Sequence, residues 1–206
     1  MKKAVLLGDS IRLSYCARVG ELLAGECEVL WPEENCAYTM YTLRRTREWF
    51  EGSGGWGTVD LIHYNNGIWD HHRVADDGEP LSTPEQYLYL NRRLHRQLAE
   101  YAPKLIWATT IPAGEAYQYT PHWVLGLKRD DWNREIREYN ALLSGYLSSQ
   151  GVEINDLYAL VAPHPEYITT DGIHLTAEGV EAAAQQVASH IRAASSRTDG
   201  NSEVLR

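Results

Sequence analysis

The sequence predicts an α/β protein in which helices cover both faces of a mainly parallel sheet, a three-layer α/β/α sandwich. Apolar runs of strand length recur along the chain, and segments of helical length separate them. The 206 residues suffice for one well-buried core and are few for two domains. Strands that alternate with helices connect through right-handed crossovers, which makes neighbouring strands parallel.

Five apolar runs are the predicted strands, each bounded by Gly, Pro, Asp or Asn. In chain order they are AVLL (4–7), CEVLW (27–31), VDLIHY (59–64), KLIWATT (104–110) and GVEIND (151–156). The bounding residues favour turns, so each run has the length of a buried strand.

Five longer segments are the predicted helices, at 12–24, 41–52, 82–103, 130–151 and 176–194. The first places Leu13, Cys16, Ala17, Leu22 and Leu23 near one face. The second closes at Gly52, a typical C-cap, and the third opens with Ser82 or Thr83 as N-cap before Pro84. We predict one domain over 1–194 and a flexible tail over 195–206, which lacks periodic apolar positions.

Charge and hydropathy argue against nucleic-acid and membrane partners. The formal net charge of -9 repels phosphate backbones and anionic lipid, and the short basic stretches LRRTR and NRRLHR suit solvated helix faces. No run of about 20 apolar residues is present. The apolar run in MKKAVLLGDS is short for a secretory signal, so we expect a cytoplasmic protein unless a signal peptide was removed.

The cysteine and histidine patterns predict neither a disulfide framework nor a metal site. Cys16, Cys27 and Cys36 are odd in number and lack CxxC spacing, so reduced, mostly buried thiols are expected. His71 and His72 follow Asp70 directly, but adjacent side chains point in different directions and no spaced partners complete a ligand set. We therefore expect no metal and no cofactor.

The first strand ends in Gly8, Asp9 and Ser10, where the first helix begins. In open parallel sheets, ligands bind outside the carboxyl ends of the strands, and amides at a helix start can face an oxyanion. Ser10 is therefore a candidate nucleophile. The alternative is that Asp9 or Ser10 only caps the helix that begins near Ile11.

A second candidate pair stands near the other end of the chain, in TTDGIHLTAEGV. A serine becomes a useful nucleophile when an imidazole removes its proton and a carboxylate orients that imidazole. Asp171 and His174 have this chemistry on one turn before the last helix. Alternatively, Asp171 is a turn residue and His174 a solvated or helix-capping group.

Together, GDS near the N-terminus and DGIHLT near the C-terminus resemble the nucleophile and Asp/His blocks of SGNH, or GDSL-type, hydrolases. The resemblance spans the chain from about Lys3 to the last helix. It implies a flavodoxin-like parallel five-stranded sheet, Ser10 as nucleophile, His174 as general base and Asp171 as its orienting acid. It also implies ester hydrolysis through an acyl-enzyme.

The same resemblance implies an oxyanion hole with three donors: the Ser10 amide, a backbone amide after the second strand and an Asn after the third. The family's usual Gly is absent from PEENCAYT, where Cys36 or Ala37 would supply the amide. The third block reads NNGIWD, which resembles a carbohydrate-esterase branch of the family in which an Asn precedes the Gly. Asn65 is the favoured side-chain donor and Asn66 the second. Plain turns at PEEN and Asn66-Gly67 are the alternatives.

The aromatic composition bears on the substrate. Seven Trp and thirteen Tyr stand against one Phe, and amphipathic rings suit sugar faces better than long acyl chains. We predict Trp49 and Trp107 in the core and the irregular segment 112–130 as a wall of the cleft. The candidate substrate contacts are Trp69, Asp9, His164 and Trp123. The expected reaction is hydrolysis of a short, acetyl-type ester on a carbohydrate or glycoside.

Three alternatives remain open from sequence. The first is a general acylhydrolase or lysophospholipase-like lipase, although no loop resembles an apolar lid. The second is a catalytically inactive carbohydrate-binding relative, an interpretation that the altered Asn and Gly blocks permit. The third is a triad that transfers the acyl group to an alcohol instead of water. A nucleotide-binding protein is disfavoured, because neither phosphate-loop motif follows the first strand. The oligomeric state is not predicted.

Overall fold

The computed structural model describes residues 1–73, 77–115, 117 and 127–196. Five strands form one sheet in the order β2-β1-β3-β4-β5, and every neighbouring pair is parallel. The strands are β1 Lys2–Leu7, β2 Cys27–Leu30, β3 Leu61–Tyr64, β4 Lys104–Ala108 and β5 Glu153–Asn155. This is the flavodoxin-like order, whose switch point lies between β1 and β3, and the predicted fold class is confirmed.

Helices cover both faces of this sheet. They are α1 Ser10–Leu22, α2 Thr39–Glu51, α3 Pro84–Leu98, α4 Arg129–Ser149, α5 Leu157–Val161 and α6 Ala177–Ser196, with a 3-10 helix at Pro165–Tyr167. The five longest correspond to the predicted helices. Helix α5 was not predicted, because five residues are too few to display a helical period.

Alternate residues of the strands build the two halves of the core. Ala4 and Leu6 of β1 pack with α1 and α6, whereas Val5 and Leu7 pack with α2, α3 and the second half of α4. A strand buried on both faces needs a continuous apolar run, which is the pattern read from the sequence. Trp49 and Trp107 are both buried, as predicted.

Two helix ends show why the sequence stops and starts where it does. Thr83 and Gln86 form a capping box at the start of α3, and Pro84 occupies its first turn. Gly52 ends α2 in an extended conformation, not the left-handed one common at C-caps. A Cβ there would lie 2.4 Å from the Glu48 carbonyl oxygen, so close approach is what requires glycine.

Several smaller predictions can be placed on the fold. The three cysteines are free and buried, as predicted. Helix α6 continues to Ser196, and the remainder of the predicted tail, 197–206, lies outside the described residues. Across the described part of the chain, no helix combines the length and apolar character needed to cross a bilayer.

Candidate active site

The candidate nucleophile stands at the switch point of the sheet. Ser10 is the first residue of α1 and is half-buried at the carboxyl end of β1. Gly8 makes the tight turn possible, because a Cβ at that position would lie 2.8 Å from the Cβ of Arg12. The amides of a first helical turn have no partner within their helix, so the Ser10 amide lies where an oxyanion can use it.

Ser10, His174 and Asp171 form one hydrogen-bonded chain. The Nε2 atom of His174 lies 2.9 Å from Ser10 Oγ, and its Nδ1 atom lies 2.7 Å from Asp171 Oδ2. These contacts join the start of α1 to the turn before α6, 164 residues apart in sequence. The arrangement has the geometry in which an imidazole can take the serine proton while a carboxylate fixes its tautomer.

The turn that carries Asp171 and His174 is held in place by its own carboxylate. Asp171 Oδ1 accepts hydrogen bonds from Thr169 Oγ1 (2.7 Å) and from the backbone amides of Ile173 (2.8 Å) and His174 (2.9 Å). Gly172 has φ of 78°, and a Cβ there would lie 2.3 Å from the Tyr117 backbone. Only glycine therefore fits at position 172, between the Asp171 turn and the backbone of Tyr117.

Electrostatics keep Asp171 ionised. Partial burial by itself would raise its pKa, but the hydrogen bonds from Thr169, His174 and the turn amides outweigh that effect. The pKa of Asp171 consequently lies well below its usual range. The ionised carboxylate can therefore accept a hydrogen bond from His174 Nδ1.

The backbone donor expected from the β2–α2 loop (31–38) is not Cys36. The Cys36 amide donates to the Gly8 carbonyl oxygen at 3.1 Å, and the residue is fully buried. That amide is already used to join the loop to the nucleophile turn, so the prediction of Cys36 as an oxyanion donor is wrong.

Ala37 is the remaining candidate in this loop. Its φ of 46° makes it the only non-glycine residue with positive φ in the described part of the chain. Alanine thus adopts the left-handed conformation that favours glycine, in the loop that the resemblance to SGNH hydrolases predicts to supply a backbone donor. The Ala37 amide donates to Asn35 Oδ1 at 2.8 Å, and both residues are partly exposed. Rotation of that side chain would free the amide for a ligand.

Asn65 and Asn66 lie on opposite faces at the end of β3. The side-chain amide of Asn65 donates to the Ala108 carbonyl oxygen at 2.7 Å and to Thr110 Oγ1 at 3.4 Å. Asn66 points the other way, to Thr42 Oγ1 of α2 at 3.0 Å, and has no exposed surface. Strand alternation puts Asn65 on the sheet face that α1 and α6 cover. Helix α1 begins with Ser10, and the turn that carries His174 leads into α6. Asn65 as donor stays a prediction, and a ligand oxygen would replace its longer bond to Thr110.

The two asparagines are separable by mutation. We expect Asn65→Ala to lower kcat for p-nitrophenyl acetate by about 10²-fold to 10³-fold, the usual loss for one oxyanion donor. We expect Asn66→Ala to change kcat less than about tenfold and to lower the urea midpoint of unfolding, because it removes a buried hydrogen bond. A larger kcat loss for Asn66→Ala would identify Asn66 as the donor.

The structure places the predicted substrate contacts in different environments. Trp69 is partly buried, with its ring 5.5 Å from that of His72. Asp9 is 1% exposed and accepts from the Ile11 amide at 2.9 Å, so it caps α1 and its prediction as a substrate contact is wrong. His164 is partly exposed, stacks on Tyr167 and contacts Glu166, and its role stays a prediction. Trp123 and most of the predicted cleft wall lie outside the described residues.

The adjacent side chains of Asp70, His71 and His72 do not converge on one site. The His71 ring is buried, 3.9 Å from the Trp132 ring and 5.7 Å from that of Tyr139. Burial lowers its pKa to about 3, so it is neutral. His63 is likewise a core residue, bonded to Asn155 at 3.0 Å. No group of three or more potential metal ligands occurs among the described residues.

Asp70 anchors a buried polar network at the start of α2. Its carboxylate accepts from the Thr39 amide (3.0 Å), Thr39 Oγ1 (3.0 Å) and Ser82 Oγ (3.2 Å), and it is fully buried. The Thr39 hydroxyl also accepts from Asn91 of α3 at 3.2 Å. Burial raises the pKa of Asp70 to about 7, although these hydrogen bonds oppose the shift. The network ties the start of α2 to the segment that follows β3.

Asp70 should make stability depend on pH. A carboxyl whose folded pKa exceeds its unfolded value stabilises the protein at low pH and loses that contribution as pH rises through the folded value. Each pKa unit is worth about 1.4 kcal/mol. Between pH 5 and pH 8 we expect the wild type to lose roughly 2 to 3 kcal/mol more of its free energy of unfolding than Asp70→Asn. Urea unfolding at both pH values measures this, and equal losses would contradict it.

Sequence reasoning missed two residues that shape this site, Arg12 and Thr39. Arg12 is a charged residue, yet it is only 1% exposed and lies on the buried side of α1. Its signal in the sequence is a charged residue one turn after Gly8, beside Ile11, where an amphipathic helix faces inward. Thr39 carries no comparable signal, because its bond to Asp70 joins residues 31 apart.

Comparison with solved structures finds several proteins with a similar fold. A GDSL-like lipase from Bacteroides thetaiotaomicron is similar with a TM-score of 0.69 and 18% identity, covering 94% of this chain and 89% of that one. The acetyl xylan esterase AlAXEase gives 0.72 and 16%, covering 92% and 99%. Axe2, an acetylxylan esterase from Geobacillus stearothermophilus, gives 0.66 and 15%, covering 92% and 94%.

No protein-family model and no curated protein matches the sequence. The structural likeness extends over nearly the whole chain in both directions, so it concerns the complete fold and not one shared motif. The chain therefore has the fold of GDSL-type hydrolases, as its two sequence blocks predicted. At this level of identity the likeness concerns architecture, and the chemistry has to be argued from the side chains.

Proposed function

We propose that this protein is a serine carboxylic ester hydrolase of the SGNH, or GDSL, type. The observation that carries the proposal is the chain of contacts from Ser10 Oγ through His174 to Asp171, at 2.9 Å and 2.7 Å. A serine within hydrogen-bond reach of an oriented imidazole is the arrangement that nucleophilic catalysis requires. An inactive carbohydrate-binding relative would have no need to keep all three groups in register.

Acylation begins when Ser10 Oγ attacks the ester carbonyl carbon and His174 Nε2 takes the serine proton. The carbonyl oxygen becomes an oxyanion, which the Ser10 amide, the Ala37 amide and the Asn65 side chain would stabilise. His174 is then an imidazolium beside the ionised Asp171, and it donates its proton to the departing alkoxide. The products of this step are the alcohol and an acyl-enzyme on Ser10.

Deacylation repeats the same steps with water as the nucleophile. His174 removes a proton from water as its oxygen attacks the acyl carbon, and the second oxyanion occupies the same donors. Collapse of the intermediate breaks the bond to Ser10 Oγ, which regains its proton from His174. No separate acid is needed, because one imidazole serves in both directions.

The proposed substrate is a short acyl ester, of the acetyl class, on a carbohydrate. Three observations support it. The side chains of His174 and Asp171 are about half exposed, 47% and 51%, so a bulky alcohol such as a glycan can reach the serine. Trp69 lies partly exposed on the segment after β3 and offers a ring for a sugar face. Two of the similar structures are themselves acetyl xylan esterases.

Substrate choice can be tested with a chain-length series. We expect p-nitrophenyl acetate to give the highest kcat/KM, and the octanoate ester to be at least about tenfold poorer, since an open site binds little of a long chain. Acetate release from acetylated xylo-oligosaccharides, measured by enzyme-coupled assay, should exceed that from the same mass of triacetin. A preference for octanoate would instead support the general acylhydrolase or lipase, and absence of ester hydrolysis would refute the proposed function.

A further inference from the structure

A buried arginine lies directly beneath the nucleophile turn. Arg12 stands two residues after Ser10 in α1 and is 1% exposed. Its guanidinium donates to four groups: the Pro32 carbonyl oxygen (2.9 Å), the Glu34 carbonyl oxygen (2.8 Å), the Gly8 carbonyl oxygen (3.1 Å) and Cys36 Sγ (3.4 Å). Its Nε also reaches the Gly8 oxygen, at 3.3 Å.

These acceptors belong to two separate backbone segments. Gly8 is in the turn that presents Ser10, whereas Pro32, Glu34 and Cys36 are in the β2–α2 loop that presents Ala37. One planar guanidinium therefore bonds both segments that carry the candidate backbone oxyanion donors. The Cys36 amide adds a direct bond to the Gly8 carbonyl oxygen at 3.1 Å. That oxygen is thus the meeting point of the nucleophile turn, the loop and the arginine.

The arrangement is costly, which calls for an explanation. Removing a cation from water is unfavourable unless hydrogen bonds and charge compensate it, and none of the four acceptors is a carboxylate. Burial raises the pKa of Asp9, the cap of α1, and the Arg12 charge opposes that rise, but no hydrogen bond joins the two side chains. An apolar side chain would fill the same space without a desolvation cost, so packing does not account for this arginine.

We propose that Arg12 is a positioning residue that sets the spacing between the Ser10 amide and the Ala37 amide in the oxyanion hole. It acts through the backbone of two segments and does not touch the substrate. This inference rests on the proposed esterase function. The rigid fork of a guanidinium can bond several carbonyls in one plane, whereas a lysine ammonium is a point donor on a flexible stem. Positioning therefore requires arginine and not merely a positive charge.

The test uses Arg12→Lys and Arg12→Met, with Arg18→Met as the matched control. Arg18 is on the same helix but partly exposed, where it pairs with Glu181 and Glu21. For each variant, kcat and KM for p-nitrophenyl acetate are measured at a temperature where thermal unfolding shows it to be folded. The inhibition constant of benzeneboronic acid is measured in parallel, because its adduct with a serine places an oxygen where the oxyanion forms.

We expect Arg12→Lys and Arg12→Met to lower kcat by about 100-fold, the effect of displacing oxyanion donors by a fraction of an ångström to one ångström. KM should change less than about threefold, because the ground-state ester does not depend on those donors. The boronic acid should bind more weakly by the same factor as kcat/KM falls. Arg18→Met should match the wild type in all three quantities.

The outcomes separate this inference from the function on which it rests. An inactive wild type refutes the proposed function and the inference together. An active wild type with folded Arg12 variants whose kcat stays within about threefold overturns the inference alone. So does a kcat loss without weaker boronic acid binding, since the lesion would then lie outside the oxyanion hole. Failure of both variants to fold would make Arg12 a structural residue and also overturn it.

Discussion

Replacing Ser10 with alanine is expected to lower kcat for p-nitrophenyl acetate by about 10⁴-fold or more. Ser10 Oγ is the atom that His174 Nε2 faces at 2.9 Å, so its removal leaves the imidazole without a nucleophile to activate. The residual rate would come from binding and from the oxyanion donors alone. The measurement is the burst and the steady-state rate of p-nitrophenolate release.

Ser14 provides the matched control for this substitution. It is on the same helix, one turn further along, and its hydroxyl donates to the Ile11 carbonyl oxygen at 2.6 Å. We expect Ser14→Ala to retain full activity. Diisopropyl fluorophosphate should add one phosphoryl group to the wild type and to Ser14→Ala, located on Ser10 by peptide mass spectrometry. Unchanged turnover by Ser10→Ala would exclude Ser10 as the nucleophile.

The features of the fold that sequence predicted are those set by local pattern. The central strands β1, β3 and β4 are buried on both faces over most of their length, so their runs of apolar residues are visible without knowing their neighbours. Turn and cap residues, such as Thr83, Gln86 and Pro84 at the start of α3, act within a few positions of one another. The order of the strands then follows from the handedness of the crossovers together with the resemblance to a known family.

The predictions that were wrong depend on tertiary contacts. Cys36 and Ala37 are adjacent, and only the long-range bond from the Cys36 amide to the Gly8 carbonyl oxygen removes Cys36 from the candidates. Asp9 was open to two readings, and its complete burial against the core decides for the helix cap. A sequence pattern identifies which groups are present near a turn, but it does not determine which of them face the cleft.

Asp171→Asn is expected to lower kcat by about 10⁴-fold while leaving the fold intact. Asp171 Oδ1 accepts from Thr169 Oγ1 and from two backbone amides, so the single oxygen of asparagine must occupy that position. The new NH₂ group then replaces Oδ2, which lies 2.7 Å from His174 Nδ1. Donation from NH₂ requires Nδ1 to be unprotonated, which puts the neutral ring's proton on Nε2.

That tautomer points an N–H at Ser10 Oγ, so the imidazole can no longer accept the serine proton. A carboxylate is therefore needed here for its second acceptor atom as well as for its charge. Asp156→Asn is the matched control, because Asp156 caps α5 through the Ala159 amide and has no contact with the triad among its described bonds. The measurements are kcat and the thermal midpoint of unfolding for both variants. We expect both midpoints to match the wild type and only Asp171→Asn to lose kcat. Full activity of Asp171→Asn would show that His174 keeps its working tautomer without help from residue 171, and the triad would reduce to a Ser-His dyad.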